Sequence, residues 1–258
     1  MTKAIFFDID GTLVSFNTHR ISPGVLDGLG RLREKGVKLF IATGRQRGDL
    51  GQVSHAFPFD GFITLNGQYC FAGDKVLRSN PISPAAAEQL LDLLEDTGLP
   101  CTIVEEHDTY AINRDARMDL YRDQLALPIP PSAPLDRARG RTIYQAVAFF
   151  TKEDELAAGE RFFPGLIPLR WHPAFVDVIA PGGGKDQGMD ALLHHFGIDL
   201  SQTMAFGDGE NDLPMLRHAH IGVAMGNAGQ RVKDQADYVT GSVDEDGILT
   251  ALEHFGLI

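Results

Sequence analysis

Short apolar runs alternate with an amphipathic segment at the start of the chain. Three of these runs have the length of buried strands, at residues 4–7, 37–42 and 62–65. Between the first two, residues 23–35 carry apolar side chains at helical spacing, with Ser22 placed as the N-cap and Pro23 as the first helical residue. Strands separated by helices favour right-handed crossovers, so the pattern predicts a parallel sheet of the α/β class.

The pattern changes in the middle of the chain, where strands outnumber helices. It predicts helices at residues 83–94 and in the acidic stretch 152–162. It predicts strands within 100–112, at 144–150, and as an antiparallel pair at 169–172 and 175–179. A proline-rich connection, residues 128–134, is typical of a surface loop. Runs of strands with interspersed helices indicate an α+β domain.

The parallel pattern returns after a glycine-rich segment, residues 181–184, whose composition is typical of a flexible hinge. A helix at 185–195 then precedes two further core strands, at 203–206 and 221–225. The sequence therefore predicts a core domain, residues 1–82 and 183–258, that is split by an inserted α+β domain, residues 83–182.

Composition is that of an ordinary globular protein. Of the 258 residues, 43% are hydrophobic and 22% are charged. No apolar run approaches the roughly 20 residues that span a bilayer. The chain passes from Met1 almost directly into its first strand, so we expect no signal peptide and a cytoplasmic location. Cys70 and Cys101 have no metal-like spacing, so neither a disulfide scaffold nor a zinc site is expected.

The charge balance narrows the range of partners. The chain has 35 acidic and 23 basic residues, which gives a net charge of -12. This charge argues against general nucleic-acid binding, because neutralising phosphates requires a basic surface. An anionic substrate would be repelled at long range, so a phosphate site would need a cation, a lysine and backbone amides close by.

Polar side chains follow four of the predicted core strands. They are Asp8 and Asp10, Thr43-Gly44-Arg45, Asn66-Gly67, and residues 208–212, with Lys185 at the start of the helix after the hinge. Ligands of open α/β sheets bind beyond the carboxyl ends of the strands, so these groups are expected to meet. Two neighbouring carboxylates raise each other's pKa unless a cation lies between them. The set matches phosphoryl transfer, which uses a carboxylate nucleophile, a proton-shuttling acid, a divalent cation and a lysine with backbone amides.

Each of these features also has a structural interpretation. Asp-Gly pairs are common in turns, and Asp208 and Asp212 could serve only to cap a following helix. Lys185, taken alone, would be a solvated lysine. Arg45 is expected to pair with an acid rather than to touch substrate.

Four segments resemble the motifs of the haloacid dehalogenase-like hydrolases. They are Asp-Ile-Asp-Gly-Thr-Leu at 8–13, Ala-Thr-Gly-Arg at 42–45, Lys185, and Gly-Asp-Gly-Glu-Asn-Asp at 207–212. Their order, and the large insert between the second and the third, resemble the Cof-like phosphatase branch with a class II, subgroup B cap. Leu65-Asn66-Gly67 and the Asp-Val-Ile-Ala-Pro segment before the lysine also fit that branch. The resemblance spans essentially the whole chain and is strongest in the core; it implies a Rossmann-like parallel-sheet core with an inserted α+β cap.

The resemblance implies a role for each matching residue. Asp8 would be the nucleophile that forms an aspartyl-phosphate. Asp10 would be the acid/base that protonates the leaving oxygen and later activates water. Lys185 would stabilise both the nucleophile and the transferring phosphoryl group. The residues that bind phosphate would be Thr43, Gly44, Lys185 and Asn211.

The resemblance also implies a Mg²⁺ site. One oxygen of Asp8, the main-chain carbonyl of Asp10 and the carboxylate of Asp208 would be ligands. Asp212 would be a metal-side carboxylate that acts through water or by supporting the ligands. Such oxygen-only ligation suits magnesium. Three glycines precede Lys185 where the family usually has bulkier residues, but this departure removes no catalytic group.

The expected function is that of a magnesium-dependent phosphomonoesterase acting on a small phosphorylated metabolite, such as a sugar phosphate. We expect a monomer that binds neither nucleic acid nor a membrane. A phosphomutase or phosphotransferase stays open, because the same aspartyl-phosphate could pass its phosphoryl group to a sugar hydroxyl. A non-catalytic protein that binds a phosphorylated ligand is the other alternative, although no carboxylate of the motifs is missing. The sequence does not identify the substrate, since a fold-level resemblance does not transfer one.

Overall fold

The structure, a computed structural model, describes residues 1–125, 128–153, 163 and 165–258. The chain forms two compact units. The first consists of Met1–Ser79 together with Gly184–Ile258, and the second of Asn80–Gly183.

The strands and helices are numbered in chain order within the described residues. The strands are β1 Ala4–Phe7, β2 Lys38–Ala42, β3 Gly61–Thr64, β4 Tyr69–Ala72, β5 Lys75–Ser79, β6 Cys101–Val104, β7 Thr109–Ile112, β8 Gln145–Ala148, β9 Ile167–His172, β10 Phe175–Ile179, β11 Thr203–Gly207, β12 Ile221–Ala224 and β13 Tyr238–Val239. The helices are α1 Pro23–Glu34, α2 Gly51–Ala56, α3 Pro84–Thr97, α4 Asp119–Leu125, α5 Lys185–Phe196, α6 Leu213–His218, α7 Gln230–Lys233 and α8 Gly247–His254.

An eight-stranded sheet forms the centre of the first unit. Its strand order is β13-β12-β11-β1-β2-β3-β4-β5, and it is parallel from β13 to β3. All four residues of β1 are fully buried, since this strand lies between β11 and β2. The predicted α/β class with a parallel sheet is therefore confirmed. The hairpin β4–β5, in which β4 pairs antiparallel with both β3 and β5, was not predicted from the sequence.

Helix α1 begins where its capping residue predicts. The Ser22 side chain accepts a hydrogen bond from the Val25 main-chain N–H at 3.1 Å, and Pro23 is the first helical residue. Val25, Leu29 and Leu32 form its buried face. This burial agrees with the apolar spacing in the sequence.

The second unit has a five-stranded antiparallel sheet in the order β7-β6-β8-β10-β9. Helix α3 packs its buried leucines against one face of this sheet. The predicted antiparallel pair is confirmed as β9 and β10. The acidic stretch predicted as a helix at 152–162 lies outside the described residues from position 154 onward.

In the described ranges, no helix combines the length and the hydropathy that crossing a membrane would require.

Candidate active site

The ends of two adjacent strands bring the first acidic residues together. Strands β1 and β11 pair in parallel, with Phe7 opposite Phe206. The Asp8 main-chain N–H donates to the Phe206 carbonyl at 3.0 Å, which continues the pairing beyond β1. Asp8 and Asp208 therefore emerge at the same edge of the sheet, where open α/β folds bind ligands.

Lys185 lies between two carboxylates and is fully buried. Its Nζ is 2.6 Å from Asp8 Oδ1 and 2.5 Å from Asp212 Oδ1. Lys185 is the first residue of α5, so the helix start fixes the position of its main chain. A buried ammonium is stable only when it is paired, and here two carboxylates pair with it.

Asp212 also organises the loop that carries Asp208. Its Oδ2 accepts hydrogen bonds from the main-chain N–H groups of Asp208 and Gly209, at 2.9 and 2.8 Å. Asp212 thus acts as a local turn residue and as a partner of Lys185. Its side chain makes no capping hydrogen bond to α6, the helix that it was expected to cap, and instead stabilises the turn before that helix.

Burial and mutual repulsion make the acidic residues hard to ionise. Burial, with added repulsion from Asp212, raises the pKa of Asp8 to about 7, although Lys185 opposes the shift. Burial and the charges of Asp8 and Asp212 also raise the pKa of Asp208 well above its usual range. Burial alone would lower the pKa of Lys185, but the attraction of Asp212 and Asp8 outweighs this effect and raises it. Carboxylates held together in this way are stabilised by a bound cation.

Three of the four predicted metal-side carboxylates form one group. Single oxygens of Asp8, Asp208 and Asp212 all lie within 4.8 Å of one another. An all-oxygen donor set at the mouth of a sheet fits Mg²⁺, which prefers carboxylates and water. The carboxylate of Asp10, the fourth residue, is not in this group. The resemblance had assigned its main-chain carbonyl, rather than its side chain, to the metal.

The Asp10 carboxylate instead pairs with Arg45. The Arg45 guanidinium donates from Nε to Asp10 Oδ2 at 2.8 Å and from Nη2 to Asp10 Oδ1 at 2.5 Å. The Arg45 side chain is only 7% exposed, so solvent screens this two-pronged contact weakly. Arg45 pairs with an acid, as the sequence suggested, and the acid is one of the predicted catalytic residues.

The predicted phosphate-binding residues lie on neighbouring loops. Thr43 follows β2, and its Oγ1 accepts a hydrogen bond from the Arg45 main-chain N–H at 3.1 Å across Gly44. Asn211 is buried, and its Nδ2 donates to Asn66 Oδ1 at 3.1 Å. The contact that Asn66 makes with Asn211 was not predicted, although its turn had been singled out in the sequence.

Two further residues, Thr12 and Asn227, support Asp208 and were missed in the sequence. Thr12 Oγ1 donates to Asp208 Oδ1 at 2.8 Å. Asn227 Nδ2 donates to the Gly11 carbonyl at 2.8 Å and lies 3.4 Å from Asp208 Oδ2. Gly11 has a φ of +82°, and a Cβ there would overlap the Asp208 carboxylate. Thr12 lies inside the first motif, which was a usable signal, whereas Asn227 lies outside all four motif segments.

Known proteins are similar to this chain in sequence over nearly its whole length. The family model of haloacid dehalogenase-like hydrolases matches residues 5–252. YkrA of Bacillus subtilis is 33% identical over 258 residues, which are 100% of this chain and 99% of YkrA. The pyridoxal phosphate phosphatase YbhA of Escherichia coli is 29% identical over 266 residues, with 96% of each chain covered.

A solved structure gives a similar result. The haloacid dehalogenase subclass IIB sugar phosphatase BT4131 matches with a TM-score of 0.93 and 43% identity, and the match covers 100% of both chains. The four motif segments, the fold and these relatives agree with one another. The chain belongs to the haloacid dehalogenase-like hydrolase family, and it is a phosphatase of the Cof-like branch.

Proposed function

We propose that this phosphatase is a magnesium-dependent phosphomonoesterase that hydrolyses a small phosphorylated metabolite, a sugar phosphate, through an aspartyl-phosphate on Asp8. The observation that carries the proposal is the buried contact of Lys185 with Asp8, beside a group of carboxylates suited to a divalent cation. The sugar-phosphate class is supported by the 43% identity to the sugar phosphatase BT4131.

The proposed first step forms a bond between an Asp8 oxygen and phosphorus and breaks the bond from phosphorus to the substrate oxygen. Lys185 engages Oδ1 of Asp8, and no described residue donates a hydrogen bond to Oδ2. We assign the attack to Oδ2, because this oxygen keeps its lone pairs available. The leaving oxygen takes a proton from Asp10, so that an alcohol departs.

The proposed second step returns the enzyme to its starting state. Water attacks the aspartyl-phosphate and gives a proton to Asp10, which releases inorganic phosphate and restores the Asp8 carboxylate. The two hydrogen bonds from the Arg45 guanidinium hold the Asp10 carboxyl group in place for both proton transfers.

The surrounding residues are proposed to hold the phosphate. Lys185 and the Asn211 amide would contact the phosphoryl oxygens, with Thr43 and the main chain at Gly44 on the opposite loop. Asp8 and Asp208 would hold Mg²⁺, and Asp212 would support them from the same group of carboxylates. When bound, the ion would offset the negative charge of the carboxylates and of the phosphoryl oxygens. The inserted unit, Asn80–Gly183, is proposed to be the cap that determines specificity.

The test measures phosphate release from a panel that contains hexose and pentose phosphates and pyridoxal phosphate. We expect hydrolysis that is lost on chelation, restored by Mg²⁺, and lowered by more than about 10³-fold in Asp8→Asn. Asp27→Asn is the matched control, because Asp27 is an exposed carboxylate on α1. This control should keep full activity.

Other outcomes would redirect the proposal. Full metal-dependent activity in Asp8→Asn would exclude the covalent intermediate. Isomerised sugar phosphate without free phosphate would instead indicate a phosphomutase, and preferential hydrolysis of pyridoxal phosphate would replace the sugar-phosphate class.

A further inference from the structure

Asn66 joins three loops of the candidate active site. Its main-chain N–H donates to the Thr43 carbonyl at 3.0 Å, and its own carbonyl accepts from the Gly184 N–H at 2.9 Å. Its side-chain Oδ1 accepts from Asn211 Nδ2 at 3.1 Å. One fully buried residue therefore contacts the loop after β2, the residue before Lys185 and the loop after β11.

The backbone at this position is unusual and supports a specific role. Asn66 has φ 51° and ψ 41°, and it stands between Leu65 at φ 52° and Gly67 at φ 86°. A left-handed conformation costs a non-glycine residue about 1–2 kcal/mol, and asparagine tolerates it better than most. Such strain persists where surrounding contacts determine it, and it is common at functional sites.

The left-handed turn is packed tightly against the residue that precedes the catalytic lysine. A Cβ on Gly67 would overlap the main-chain oxygen of Gly184. Asn66 and Gly67 together therefore set the place of Gly184, and α5 begins with Lys185 immediately afterwards. This close approach explains why the turn ends in glycine.

We infer that Asn66 is a positioning residue for phosphate binding. Its side chain orients the Asn211 amide, and its main chain fixes Gly184, the residue before Lys185. The side-chain part rests on the proposed function, because it takes Asn211 to contact the phosphoryl group. The Asn66 oxygen accepts one of the two Asn211 N–H groups and so fixes the plane of that amide. Residues that orient the ligands of a metal typically contribute about 10–100-fold to its affinity, and we take the same range for the orienting role of Asn66.

The test separates the side chain from the backbone. Asn66→Gly removes the oxygen, while glycine keeps the left-handed conformation and both main-chain hydrogen bonds. We expect the Kd for inorganic phosphate, measured by calorimetry with Mg²⁺ present, to rise about 10-fold. Asn211→Ala should have the same effect, and the double variant should be no weaker than Asn211→Ala alone, because the two residues act as one unit. In turnover, KM should rise while kcat stays within about threefold.

Asn113→Gly is the matched control. Asn113 is also left-handed, at φ 51°, and its Nδ2 donates to main-chain oxygens of Leu94 and Leu99 within the second unit. Loss of the Asn113 side chain should lower the free energy of unfolding without changing the Kd for phosphate or the KM. If Asn66→Gly folds poorly, Asn66→Ala removes the same oxygen and must give the same non-additive cycle.

An unchanged phosphate Kd in Asn66→Gly, or losses that add in the double variant, would overturn the inference. The calorimetric cycle needs no turnover, so it decides the role of Asn66 even if the wild-type protein hydrolyses no substrate and the proposed function fails. A wild-type protein that binds no inorganic phosphate would overturn both.

Discussion

At the scale of single residues, Lys185 stands out in the candidate active site because its charge is fully buried and depends on paired carboxylates. It is a fully buried cation beside two buried carboxylates, Asp8 and Asp212, and the half-buried Asp208 is grouped with both of them. Removing one partner of a buried ion pair leaves a charge without compensation, which costs about 3–5 kcal/mol. An exposed pair contributes about 0–1 kcal/mol. The chain contains both kinds, so they can be compared directly.

Lys185→Met should lower the free energy of unfolding by about 3–5 kcal/mol in the absence of metal, because the Asp8 and Asp212 carboxylates lose their only described cationic partner. Lys38→Met is the control: Lys38 Nζ lies 2.7 Å from Asp60 Oδ1, but its side chain is 41% exposed. The free energy of unfolding of Lys38→Met should fall by at most about 1 kcal/mol. Urea unfolding of both variants measures the difference, and equal losses would show that burial does not strengthen the Lys185 contacts.

The sequence indicated which side chains lie at this edge of the sheet, but it did not indicate how they pair. Asp8, Asp208 and Lys185 were predicted because strand ends and a helix start carry them to one edge of the sheet. The partner of Asn211 could not be predicted, because it depends on the left-handed backbone of Asn66. The sequence likewise indicated an acidic partner for Arg45 but did not identify Asp10.

At the scale of secondary-structure elements, the turn after β3 shows where a sequence pattern stops being informative. The apolar run 62–65 predicted a strand that includes Leu65, but β3 ends at Thr64 because Leu65 adopts φ 52°. Hairpin β4–β5 was missed because its outer strand lies at the sheet edge and is largely exposed, so it lacks a clear alternation. The Gly73-Asp74 pair between the two strands was a usable turn signal.

Two glycines near this hairpin give a prediction about close packing. Gly67→Ala should lower the free energy of unfolding by more than about 3 kcal/mol and impair catalysis. The new Cβ would overlap the Gly184 oxygen and displace the start of α5, where Lys185 lies. Gly73 also has a positive φ, 56°, but a Cβ there would meet no atom within 4 Å. Gly73→Ala should therefore lose only about 1–2 kcal/mol and keep normal kinetics. Thermal unfolding and kcat/KM of both variants test this, and matching losses would contradict it.

At the scale of the whole molecule, each of the two units has its own buried core, so each can respond separately to acid. In the second unit Glu105 follows β6 and is buried. Burial alone would raise its pKa, but hydrogen bonds from Arg141 at 2.7 Å and from the Tyr110 hydroxyl at 2.8 Å outweigh this and lower the pKa. A lowered pKa means that the folded state favours the ionised form.

Glu105→Gln should therefore destabilise the second unit by about 1–3 kcal/mol at pH 7. The contribution of Glu105 is complete above the unfolded-state pKa of about 4.5 and is lost as the pH falls through the lower folded-state pKa. The difference in free energy of unfolding between Glu105→Gln and the wild type should therefore decrease only below about pH 4.5. Urea unfolding followed by fluorescence of Trp171, the single tryptophan, reports on this unit. Asp96→Asn on α3 is the control. If the stability loss of Glu105→Gln stayed constant down to pH 3, the lowered pKa of Glu105 would be contradicted.

Sequence alone was sufficient for the parallel sheet of the first unit and the antiparallel pair β9–β10, because buried strands and helix caps leave local patterns. It was insufficient for β13, a two-residue strand at the sheet edge that has too few positions to form a pattern. Contacts between distant segments, such as that of Asn227 with the Gly11 carbonyl, leave no local signal at all.

The pairing of β1 with β11 has a consequence for the newly made chain. Strand β1 lies at the centre of the sheet, but β11 begins at Thr203, so the ribosome must synthesise the entire second unit before β1 acquires its second neighbour. The second unit is continuous in sequence and can fold as it emerges. The nascent first unit meanwhile exposes an apolar strand edge, which is the feature that promotes aggregation. The candidate active site, in which Asp8 lies at the same sheet edge as Asp208 and contacts Lys185, is therefore completed late in translation.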